Sequence, residues 1–155
     1  MKAAKRVAIV LFATIIAIPV AVFAGFIVVL PAVNDARASK IEHDFSDLVL
    51  PPQSEIVETF SLCFNSSGTG NHVEILAGFV IKSELSEAML SEWAETVAMR
   101  YPAYDATVRA APEELFARYP NLQEGIRFEQ FDGATECYVV SFLFDAVTQM
   151  DIRGH

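Results

Sequence analysis

The sequence predicts an α+β fold: one N-terminal transmembrane helix, then a small antiparallel sheet in the order β-β-α-α-β-β with the main helix on one face. Three observations carry this. Val7–Leu30 is an uncharged run of 24 residues. Glu55–Phe64 alternates in the manner of a half-buried strand, and residues 84–101 repeat their apolar side chains at helical spacing. The chain divides accordingly into a basic stub and anchor helix over 1–31, a tether over 32–52 and a domain over 53–155.

The apolar run holds Thr14 as its only hydroxyl. At about 1.5 Å per residue it spans roughly 36 Å, enough for a hydrocarbon core of ~30 Å with some tilt. Pro19 is expected to kink the helix and Pro31 to stop it. A competing reading is a cleaved signal peptide, since Ala36-Arg37-Ala38 offers an A-x-A site before Ser39. The run is too long for a signal core, which favours a retained signal-anchor. Lys2, Lys5 and Arg6 precede the span, against Arg37 and Lys40 after it, so the N-terminus is expected in the cytoplasm and the domain outside.

Residues 32–50 are mixed and polar without a regular period and end at Pro51-Pro52, which reads as a tether. Glu55–Phe64 sets Ile56, Glu58, Phe60, Leu62 and Phe64 on one face of a strand, and His72–Ile81 resumes strand composition after the turn-forming Asn65–Asn71. Ser83 is the expected N-cap of a helix reaching Arg100, with Leu85, Met89, Leu90, Trp93 and Val97 on one arc and Glu84, Glu87, Glu92 and Glu95 on the other. Pro112–Tyr119 reads as a short helix with Pro in its first turn. Gly125–Phe131 alternates, Asp132-Gly133 is a tight-turn signal, and Thr135–Phe144 is the most β-prone stretch, giving a closing hairpin.

Charge narrows the function classes. Of 11 basic and 20 acidic residues, five basic and one acidic lie in 1–40, leaving six and 19 beyond, a net −13. That balance disfavours a nucleic-acid partner, because phosphate binding rests on Lys and Arg. It equally disfavours flat docking of the domain on anionic headgroups. Cys63 and Cys137 are the only cysteines, and an even pair outside the cytoplasm reads as a disulfide. Closing that loop would stabilise the fold by roughly 4 kcal/mol on chain-entropy grounds. His43, His72 and His155 share no ligand spacing, and no metal or cofactor is expected. Ser61 and Ser141 lack a nucleophile-elbow context, and the glycines of Asn65–Asn71 are followed by neither the Lys nor the helix of a phosphate loop. Ala13, Ala17, Ala21 and Gly25 recur every four residues, a stripe that lets helices approach closely in a bilayer.

The stretches LPPQSEIVE, GTGNHVEILAGFVIKSELS and DIRGH resemble a family of small, uncharacterised, membrane-anchored bacterial proteins with an extracytoplasmic α+β domain. The likeness implies the architecture and contributes no catalytic residue. With no catalytic constellation in the sequence, the chain reads as a non-enzymatic binding or interaction module of the cell envelope. The alternative is an accessory subunit of a membrane complex, associating with a protein partner or with itself through the anchor helix.

Overall fold

The computed structural model describes residues 2–65, 72–120, 122, 125–131, 136–149, 151 and 153. The chain is α+β, with elements in the order α1 (Lys2–Ala24), a π turn (Gly25–Val29), α2 (Leu30–Phe45), β1 (Ser54–Phe64), β2 (Glu74–Ser83), α3 (Glu87–Arg100), β3 (Asp105–Arg109), α4 (Pro112–Arg118) and β4 (Cys137–Asp145). The sheet runs β1-β2-β4-β3 with every neighbour antiparallel.

Helix replaces most of the expected tether. The chain stays helical through Pro19 and Pro31, and α2 ends only at Phe45. Pro31 has no N–H, and its ring crowds the carbonyl four residues back. The helix accommodates this just upstream by widening one turn, where Leu30 N–H bonds Gly25 O, a five-residue step. Beyond it, Asn34, Ala38, Ile41 and Phe45 are buried at 4-3-4 spacing and fasten α2 to the sheet. Phe45 is fully buried, with ring centroids of Phe79, Tyr101 and Phe142 between 5.2 and 5.7 Å away. Glu42 reinforces the seam, accepting Thr59 Oγ1 at 2.9 Å and Ser61 Oγ at 2.6 Å from β1.

Two core layers flank the sheet. One face buries Ile75, Ala77, Phe79 and Ile81 of β2 against α2 and α3. The other buries Phe60, Phe64, Leu76 and Leu143 beneath Leu115, Tyr119, Leu122 and Ile126. A bulge between Ile56 and Glu58 breaks the alternation expected of β1. Ile56 therefore joins the α2–α3 layer, whereas Phe60 and Phe64 join the opposite one.

The strand order differs from expectation in the second half. Gly125–Phe131 is irregular: the amides of Glu129 and Gln130 donate to the Glu58 carboxylate at 3.2 and 2.9 Å, and no strand pairs with them. Its place at the sheet edge is taken by β3, whose five residues pair with β4. Nor does Ser83 cap α3. It ends β2, and the cap is Ser86, whose hydroxyl accepts Met89 N–H. The turns expected at 66–71 and 132–133 lie outside the described residues.

Candidate functional site

The polar chemistry gathers at one end of the sheet, where β1 finishes, β2 begins and the chain returns from β4 to α2. The first cluster there is a clamp. Asn34 is fully buried in α2; its Nδ2 donates to Thr148 O at 3.0 Å and to Asp151 Oδ2 at 2.9 Å, and its Oδ1 accepts Thr148 N–H at 3.0 Å. Asp151, also fully buried, accepts the Arg153 backbone N–H at 3.0 Å and its Nε at 2.9 Å. The guanidinium reaches onward to Asp35 Oδ1 at 2.5 Å and to Pro31 O at 3.1 Å. A segment more than 110 residues away in sequence is thus bonded to the start of α2.

Electrostatics follow from that bonding. Burial alone would raise the Asp151 pKa, but the hydrogen bonds from Arg153 and Asn34 outweigh it and hold the carboxyl below its ordinary range. Asp151 and, secondarily, Asp35 raise the Arg153 guanidinium against the opposing effect of burial. Cys63 packs against this cluster, and burial, with Asp35 adding to it, pushes its thiol up to about 12. The thiolate is the reactive form, and burial disfavours it here.

The second cluster surrounds Glu74, the first residue of β2. It is a buried carboxyl on the α4 side of the sheet, with His72 Nε2 at 3.6 Å from Oε1. Burial raises its pKa, His72 opposes the shift and Asp145 adds to it. Tyr119, at the end of α4, is likewise raised, first by burial. Beside it Arg118 bonds Asp105 at 2.6 Å.

The expected disulfide is not formed. Cys63 stands opposite Ile75 and Cys137 opposite Lys82, seven residues further along β2. At about 3.3 Å per residue the two lie roughly 23 Å apart along the sheet, against a limit of ~7 Å between Cα atoms. His43 is exposed on α2 and His155 lies outside the described residues. Among the described residues no three potential ligands converge on a metal position. Ser61 and Ser141 are bonded to Glu42 and Thr107. The acidic face of α3 is exposed, and Glu84, just before it, accepts Gln53 Nε2 at 2.7 Å across an open polar groove of about 360 Å³.

Ala13, Ala17 and Ala21 are exposed along α1, and a Cβ built on Gly25 would meet nothing within 4 Å. The clamp residues Asn34, Asp151 and Arg153 escape sequence reading because their partners are remote. One signal does exist: Asn34 precedes Ala38, Ile41 and Phe45 at 4-3-4 spacing, which marks a buried polar residue on an apolar helix face. Comparison of the chain with protein-family models, with curated proteins and with solved structures finds no match.

Proposed function

We propose that the chain is a single-pass membrane protein, N-terminus in the cytoplasm, that holds its acidic domain outside at a fixed attitude to the bilayer as a non-enzymatic interaction module. One observation carries the reading. A continuous helix leaves the described side chains of its first half exposed and sinks its second half into the domain core. Ile9, Leu11, Phe12, Ile15, Ile18 and Phe23 are 58–67% exposed, and the apolar stretch contains none of the domain's packing. So large an apolar surface calls for an apolar solvent, because leaving it in water costs about 25 cal/mol per Å².

Cleavage after Ala38 is disfavoured on the same geometry. It would cut α2 in the middle of its buried face and remove Asn34 and Asp35 from the clamp. Protease added to intact spheroplasts tests the topology, with digestion of the domain expected and a protected domain overturning it. Native-membrane crosslinking followed by identification of the captured protein tests the interaction role.

A second reading, association within a membrane complex, is favoured by the exposure of Ala13, Ala17 and Ala21 and the open space around Gly25. Ala17→Ile, Ala21→Ile and Gly25→Ile should then weaken crosslinking between anchors without unfolding the domain. Unchanged crosslinking would remove this reading.

A further inference from the structure

Glu74 is the one buried side chain among the described residues that retains an oxygen, Oε2, with no hydrogen-bond partner. Its residue is 5% exposed, and leaving such a group unpartnered is costly. Among the described residues, the groups that face it are few. His72 approaches Oε1 at 3.6 Å from the segment leading into β2. Asp145 stands opposite it on β4, and the uncharged Phe64 opposite it on β1. From α4 comes the Tyr119 phenol, with Arg118 beside it already bonded to Asp105.

We propose that Glu74 and His72 form a proton-operated closure of the β1–β2 end of the sheet. The protonated Glu74 carboxyl is neutral and tolerates burial. When that proton leaves to solvent, a bare carboxylate remains with one oxygen unpartnered and the Asp145 carboxylate nearby. The available relief is for the strand end to separate and hydrate Glu74. Burial first, and Asp145 after it, raise the Glu74 pKa, while His72 lowers it only in part. The closed state therefore binds the proton more tightly than the open one. Closure is fully stable below the open-state pKa and is lost as pH rises through the closed-state pKa. The opposite sign would hold for Asp151, so the two carboxyls respond to pH in opposite directions.

The closure is independent of the anchoring reading and is tested on the full chain in detergent micelles. A ¹³C NMR titration follows the Glu74 carboxyl, and hydrogen exchange, corrected for intrinsic rate, follows the amides of Ile75–Ala77. The Glu74 midpoint is expected above the ordinary glutamate range, moving further up in His72→Ala and down in Asp145→Asn. Protection of the strand end should fall with rising pH, about tenfold for each unit by which the closed-state pKa exceeds the open-state one. Glu74→Gln, isosteric and uncharged, should abolish that fall. An ordinary midpoint, or a fall that persists in Glu74→Gln, overturns the proposal.

Discussion

Asp151 and Asp35 both bond the Arg153 guanidinium, yet they should differ in weight. Asp151 is fully buried, whereas the Asp35 side chain is 56% exposed. Removing the buried partner leaves a cation and the Asn34 amide short of an acceptor, so Asp151→Ala should cost about 3 kcal/mol. Asp35→Ala should cost less than about 1 kcal/mol, as exposed pairs do. Equal losses in denaturant midpoint would show that the buried carboxylate is not what secures the clamp. Its depressed pKa also fixes a sign: the contribution of Asp151 is present above the ordinary carboxylate range and fades as pH falls through its folded value. Wild type should therefore lose its stability advantage over Asp151→Ala in acid. Gly78 is the other residue with little latitude. An added Cβ would stand 2.1 Å from Val140 O and 2.9 Å from Ser141 Cα, both backbone atoms that cannot swing aside. Gly78→Ala should destabilise by about 3 kcal/mol or more through forced separation of β2 from β4, read as a lowered thermal midpoint.

Among the elements, α2 shows where sequence reading succeeds and where it stops. Its buried positions are spaced as a helix requires, but Asn34 at their head and charged residues around them hide the stripe. Phe45→Ala tests whether α2 belongs to the core. Deleting a fully buried ring in contact with four aromatic neighbours should cost about 3–5 kcal/mol. A loss below about 1 kcal/mol would mean that α2 lies on the domain without stabilising it. The long strands and α3 were legible because each runs for at least nine residues with the composition or spacing of its element. Strand β3 was not: Asp105–Arg109 is five residues with only Val108 buried, too short for alternation to register. Gly125–Phe131 erred the other way. Ile126 and Phe128 do turn inward two residues apart, as in a strand, but the amides of Glu129 and Gln130 that follow are satisfied by the Glu58 side chain, which no hydrophobic pattern records. The candidate site was less legible than the fold, since the clamp joins positions 34 and 151 and depends on a topology that composition does not specify.

For the molecule as a whole, the absence of a loose connection between apolar helix and domain has mechanical meaning. A flexible tether would give a broad range of distances between a spin label at Leu11 and one at Glu92. Continuity through α2 predicts a single narrow distribution in micelles. It also predicts that residues 32–45 resist protease under conditions that cut exposed loops. A broad distribution, or rapid cleavage there, would return the segment to the role of a tether. If the helix is anchored as proposed, a tilt of the span is delivered to the sheet without slack.

The widened turn at Gly25–Val29 sets the azimuth of that delivery. A π turn amounts to one residue inserted into an α-helix, so it advances the helix by roughly 1.5 Å and about 100° relative to an unbroken one. The direction in which Ala13, Ala17 and Ala21 point is thereby phased against the direction in which the sheet projects. Deleting a single residue from the turn would re-index the two halves, swinging the domain by somewhat more than a quarter of a revolution around its own axle while leaving both halves intact.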